Sequence, residues 1–177
     1  MARAGKLDLR VFQQELAARL AAKTAAQVES SRLGVAAGGQ QWLIRLADAG
    51  EIIPTPPLAP VPLTKAWFLG VANIRGNLYS IVDFAGFLGH AVVAPHAAVG
   101  DSSRAVLFGP RAGELRAGIV VSRVMGLRNL VELAAALPPA DAPGWYGRRW
   151  IDADGAAWQE VDLTGLARDP EFLQVGL

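Results

Sequence analysis

The sequence predicts a mainly β chain made of two similar units, led by an N-terminal helix and punctuated by short capped helices. Three observations predict it. Beyond residue 31 the apolar residues fall in short runs bounded by Gly, Asn or Pro, the signature of strands rather than helices. Gly76-Asn77-Leu78-Tyr79-Ser80-Ile81-Val82-Asp83-Phe84-Ala85-Gly86-Phe87 aligns without a gap on Gly155-Ala156-Ala157-Trp158-Gln159-Glu160-Val161-Asp162-Leu163-Thr164-Gly165-Leu166. Hydrophobic residues make up 52% and charged residues 19%, enough apolar surface for a core and the reverse of a disordered chain.

Taken in order, residues 1–30 are read as a helical segment. Val11, Phe12, Leu16, Leu20 and Ala21 recur at helical spacing between Asp8 and Val28, with no Gly or Pro between, and Asp8 is a fair N-cap. Leu9, Phe12, Leu16 and Leu20 would form one apolar stripe, which packs on its own domain or, alternatively, binds a partner. Strands are expected over Gln41–Leu46, Trp67–Ile74 and Leu78–Phe84. Hairpin turns are expected at Arg75-Gly76-Asn77 and at Asp152-Ala153-Asp154-Gly155, where Gly supplies the positive φ. Five prolines from Pro54 to Pro62 make Ile53–Leu63 an irregular connection, because each lacks a ladder donor. His90–Ser103 reads as the linker between halves.

In both copies of the repeat, Val ends a strand and the following Asp caps a short helix, Phe84–Leu88 and Leu163–Ala167. Upstream, Leu43–Ile52 resembles Gly118–Leu127 at a slightly different offset. The main domain is therefore set at residues 31–167, in two partly interleaved subdomains of 31–89 and 103–167. Residues 168–177 are a C-terminal tail.

Lys and Arg number 17 against 16 Asp and Glu, a formal net charge of +1, which offers no footprint for nucleic acid or anionic lipid. Cysteine is absent, excluding disulfides, thiolate metal sites and a cysteine nucleophile. Met1–Arg10 leads into no apolar run of a secretory signal, and 85–100, though uncharged, is too short and too broken by Gly and Pro to span a bilayer. A cytoplasmic protein without membrane insertion is expected.

Catalytic and cofactor patterns find no support. His90 and His96, the two histidines, lie in the expected linker and read as solvated residues rather than metal ligands. Ser80 and Ser122 sit in no nucleophile elbow, and no phosphate-binding glycine loop is present. Asp152 and Asp154 with Glu160 and Asp162 touch on a calcium pattern but lack its remaining ligands, so a solvated turn is expected. Trp42, Trp67, Trp145, Trp150 and Trp158 are core or interface anchors. The two charges that stand out are Arg75, at the tip of an apolar hairpin, and Glu51, ending an apolar strand. Arg75 is either a solvated turn residue or a fork of donors for a partner; edge protection would explain Glu51.

The order Gly39-Gln40-Gln41-Trp42-Leu43-Ile44, Ala49-Gly50-Glu51-Ile52-Ile53, Val61-Pro62, Phe68-Leu69-Gly70-Val71-Ala72-Asn73-Ile74-Arg75-Gly76, Ile81-Val82-Asp83-Phe84 and Phe87-Leu88-Gly89 resembles the CheW-like adaptor family. The resemblance covers residues 31–167 and is strongest in the first half. It implies two five-stranded, SH3-like β-barrels over a shared core, with no catalysis, cofactor or metal. It also implies partners: the regulatory domain of a CheA-type histidine kinase and the cytoplasmic tip of a methyl-accepting chemoreceptor. Carried over by motif, Glu51 and Arg75 fall at partner contacts, with Asn73 and Gly76 shaping the hairpin under Arg75. The leading helix and the ending from Trp145 to Leu173 look like the branch that serves type IV pilus twitching motility, with flagellar chemotaxis the alternative. From outside the family, a small hydrolase or ligand-binding β-barrel and a β-barrel nucleic-acid binder are the competing readings.

Overall fold

A computed structural model of the chain describes residues 29–90 and 102–177. The expected helix Asp8–Val28, His96 and most of the His90–Ser103 linker lie outside the described residues.

Strands come from short, largely apolar runs, helices from capping aspartates. In chain order the strands are β1 (Ser31–Ala37), β2 (Gln40–Arg45), β3 (Ala49–Pro54), β4 (Phe68–Ile74), β5 (Asn77–Asp83), β6 (Arg104–Phe108), β7 (Ala117–Val121), β8 (Arg123–Asn129), β9 (Ala134–Ala136), β10 (Tyr146–Ile151) and β11 (Ala157–Val161). Among the described residues, one-turn α-helices follow β5 and β11 and close the chain: α1 (Phe84–Phe87), α2 (Leu163–Leu166) and α3 (Pro170–Leu173). Each has an aspartate at its N-cap. Asp83 accepts from Ala85 N, Asp162 from Thr164 N, and Asp169 from both Glu171 N and Phe172 N. The two Val-Asp steps thus end strands and start helices as the repeat implies.

The strands make two sheets, ordered β8-β1-β2-β11-β10-β9 and β3-β6-β7-β5-β4. Apart from the extra β9, the two orders are the same order. β1, β2, β8, β10 and β11 in the first sheet play the parts of β6, β7, β3, β4 and β5 in the second. The pairings agree pair by pair: β1–β2 and β6–β7 are antiparallel, whereas β2–β11 and β7–β5 are parallel. The registers agree as well, since Glu160 faces Leu43 where Ile81 faces Gly118. Each sheet nevertheless mixes both repeats. The first takes β1 and β2 from the beginning of the chain, and the second takes β6 and β7 from beyond the linker.

One continuous core lies between the sheets. Alternation sends Trp42 and Ile44 of β2, Val82 of β5, Val106 of β6, Ile119 of β7 and Val161 of β11 into it. An aromatic chain runs through its centre. Trp42 meets Phe84 edge-on at 5.0 Å and Tyr146 at 5.3 Å, and Phe87 meets Trp67 at 5.1 Å and Phe172 at 5.3 Å. Phe172, on α3, is itself buried, and the segment after it pairs back through the bridge Thr64–Gly176. A smaller apolar cluster of Leu69, Ala72, Ile81 and Leu107 lies on the other face of the second sheet. Four of the five tryptophans are buried; Trp150 is half-buried.

One local expectation needs correction. The irregular connection starts later than Ile53, because β3 runs through Pro54; β3 is an edge strand, where a missing N–H costs no ladder bond. His90 is exposed, as expected, with its ring standing where a Cβ on Gly38 would be. The Asp152–Gly155 turn is largely exposed, as expected, and Asp152 organises it by accepting from Asp154 N, Ala156 N and the Trp158 indole. The Trp158 indole is the main reason its carboxyl is held below the usual carboxylate range.

Candidate partner-binding site

The β4–β5 hairpin is closed by a two-residue turn, with Ile74 facing Asn77 and Arg75-Gly76 between them. Both turn residues have positive φ, 52° at Arg75 and 82° at Gly76, the conformation whose twist matches a tight hairpin. Glycine adopts it freely. Arg75 does so at a cost, and the Asn73 side chain, accepting from Gly76 N at 2.9 Å, helps to hold it.

Glu51 arrives from the other edge of the same sheet. Between Ala49 and Ile52 the β3–β6 register shifts, and the bulge re-aims Glu51. Its Oε1 accepts from Arg75 Nη2 at 2.7 Å. β3 and β4 stand at opposite ends of the strand order, so the pair joins the two edges of a curled sheet. The backbone bridge between Ala59, after β3, and Val71 of β4 does the same. Sequence reading treated Glu51 and Arg75 as separate charges; the structure pairs them.

The pair is open to water, with 78% of the Arg75 side chain and 40% of the Glu51 side chain exposed. An exposed pair of this kind contributes about 0–1 kcal/mol to stability. It stands on the rim of a groove of about 760 Å³, whose wall includes Ile74, Tyr79 and Leu107. The groove thus offers an apolar wall, the guanidiniums of Arg75 and Arg116 and the carboxylates of Glu51 and Glu114, a mixture that suits recognition of a polar partner surface. Among the described residues no three His, Cys, Asp or Glu side chains converge on a common point, and no helix is long and apolar enough to cross a membrane.

Sequence reading missed a second group, on the first sheet. Glu160 of β11, only 5% exposed, accepts from Arg32 Nε of β1 at 2.6 Å and lies 3.5 Å from Arg45 Nε of β2. The signal was present in the repeat, where the gapless alignment sets Glu160 over the apolar Ile81.

Comparison with known proteins agrees with this architecture. A family model described as the CheW-like domain matches residues 32–171. Protein PilI of Pseudomonas aeruginosa is 32% identical over 166 residues, 93% of this chain and 90% of PilI. Chemotaxis protein CheW of Rhizobium meliloti is 36% identical over 58 residues, 33% of this chain and 37% of that protein. The crystal structure of the scaffolding protein TtCheW from Thermoanaerobacter tengcongensis shares the fold, with a TM-score of 0.61 over 75% of this chain and 88% of TtCheW at 14% identity.

Proposed function

Since this chain belongs to the CheW-like domain family, we propose that it is a non-catalytic adaptor. It couples methyl-accepting chemoreceptors, at their cytoplasmic tip, to the regulatory domain of a CheA-type histidine kinase. The likeness to PilI along nearly the whole chain supports a place in a chemosensory array that controls type IV pilus twitching motility. The protein then works in the cytoplasm, against membrane-associated receptor arrays, and needs no cofactor. Residues 31–167 carry the adaptor function, preceded by the helical segment 1–30 and followed by the tail 168–177.

The observation that carries this reading is the Arg75–Glu51 pair on the rim of the groove. Glu51 and Arg75 are the partner contacts, and Asn73 and Gly76 hold the hairpin that presents Arg75. Because the pair adds little to stability, it can be given up to a partner's carboxylates and carbonyls at small cost. An arginine that anchors an interface commonly costs about 2 kcal/mol or more when lost, more than tenfold in affinity.

The test is calorimetric titration with the regulatory domain of the CheA-type kinase and, separately, with a receptor tip fragment from the same organism. The wild type is expected to bind, and Arg75→Glu to keep the fold by circular dichroism while binding at least one of them more than tenfold more weakly. Equal affinities of variant and wild type for both would remove Arg75 from the contact set, and no binding by the wild type would refute the adaptor reading.

A further inference from the structure

The internal repeat makes each sheet a control for the other. On the face turned away from the shared core, the second sheet carries Ile81, Ala105 and Val120 at three neighbouring ladder positions. The matching positions of the first sheet are Glu160, Arg32 and Arg45. The strand order therefore accepts an apolar layer here and does not itself require charge. A buried ion pair is, moreover, seldom more stabilising than well-packed apolar residues in its place. The charges invite a reason other than folding.

A pocket of about 470 Å³ opens beside them, within the size range of sites for small ligands and single side chains. Arg45, Arg148, Trp150 and Pro138 line it together with Arg32 and Glu160. Three guanidiniums against one carboxylate leave it a net charge of +2. Glu160 is engaged chiefly by Arg32, at 2.6 Å, and stands 3.5 Å from Arg45, whose side chain is 48% exposed. Arg148 is exposed and makes no ion pair with a described residue. Gly147 keeps the backbone close against Glu160, since a Cβ there would stand 3.0–3.1 Å from the Glu160 side chain. The Trp150 indole Nε1 is buried without an acceptor.

We propose that this pocket binds a carboxylate group. Arg45 and Arg148 supply the planar donor forks that match a carboxylate, and Trp150 and Pro138 add apolar wall beside them. The carboxylate could be carried by an Asp or Glu side chain of a protein partner or by a free organic acid. The site lies on the first sheet, while Glu51 and Arg75 belong to the second, and it stands whether or not the adaptor reading does.

The Trp150 indole reports on the site directly. The full chain, labelled with nitrogen-15, is titrated with sodium glutarate and with the blocked peptide Ala-Glu-Ala-Ala-Glu-Ala. The matching glutamine peptide and sodium chloride at equal ionic strength serve as controls. The Trp150 indole resonance is identified by its loss in Trp150→Phe. It is expected to shift saturably with at least one carboxylate probe and with neither control. Arg45→Ala and Arg148→Ala should each raise the apparent Kd about tenfold, the cost of one charge-assisted hydrogen bond. Saturation by the peptide alone assigns the site to a partner's side chain; saturation by glutarate, to a free acid. No saturable shift with either probe, or unchanged Kd in both arginine variants, overturns the proposal.

Discussion

Replacing Glu160 by Gln tests whether the Arg32–Glu160 pair is a true buried charge pair. The side chains are 11% and 5% exposed and meet at 2.6 Å, so water screens them little. Removing one partner of such a pair commonly costs about 3–5 kcal/mol, because the other charge stays buried without its counter-ion. Glutamine keeps the shape and one acceptor for Arg32 Nε, which points to the lower end, about 3 kcal/mol. Arg45, at 3.5 Å and half in water, adds under about 1 kcal/mol. For a chain of this size about 3 kcal/mol lowers Tm by roughly 6–12 °C. The double variant Arg32→Ala/Glu160→Ile installs the residues that the second sheet carries at the same ladder positions, and its stability should return to within about 1 kcal/mol of wild type. Urea unfolding at neutral pH measures both, with unchanged m-values as the sign that the folded state is intact. A Glu160→Gln variant within 1 kcal/mol of wild type, or a double variant less stable than the single, would refute the reasoning.

Two further outcomes follow from buried backbone and buried charge. Asp48 is 3% exposed and its Oδ2 has no hydrogen-bond partner. Burial, opposed by Arg45 and reinforced by Asp162, pushes its carboxyl above the ordinary aspartate range. A folded-state pKa raised above the unfolded one gives a stability contribution present at acid pH and lost as pH rises through the folded pKa. Asp48→Asn should therefore gain stability relative to wild type as pH climbs from about 4 towards neutrality; urea midpoints of the two proteins that run parallel from pH 4 to 7 would show that Asp48 is not the titrating group. Gly70 has φ 129°, and a Cβ there would overlap the carbonyl oxygen of Ala59, at the backbone bridge that joins the two edges of the second sheet. Gly70→Ala should cost about 2 kcal/mol or more, whereas Gly39→Ala, at φ 72° with open space around it, should cost about 1 kcal/mol; equal urea midpoints for the two variants would remove the close approach as the cause.

Much of the local structure was legible because it rests on neighbouring residues. The strands around Trp42, Phe68 and Ile81 follow from short apolar runs bounded by Gly, Asn or Pro, the turn at Arg75-Gly76 from glycine and hairpin length, and the helices after Asp83 and Asp162 from capping. The candidate site was legible in part. Glu51 and Arg75 could be singled out one by one, but their meeting depends on the curl of a whole sheet and on the bulge after Ala49, neither of which leaves a mark at either residue. Pro54 was misread because an edge strand tolerates the missing N–H that a central strand would not.

The sequence by itself determined a β-rich chain with an internal repeat, and motifs between Gly39 and Gly89 carried the family resemblance. It did so because alternation, turns and caps act over a few residues at a time. Only the tertiary structure decided which sheet each strand joins. β1 and β2 pair with strands of the second repeat, and β6 and β7 with strands of the first, because the two repeats are alike enough for either set of partners to satisfy the same hydrogen-bond pattern. The choice between them is made by contacts more than a hundred residues apart, among them Gln159 beside Trp42 and Val161 beside Ile44. No window of neighbouring residues contains both members of those pairs.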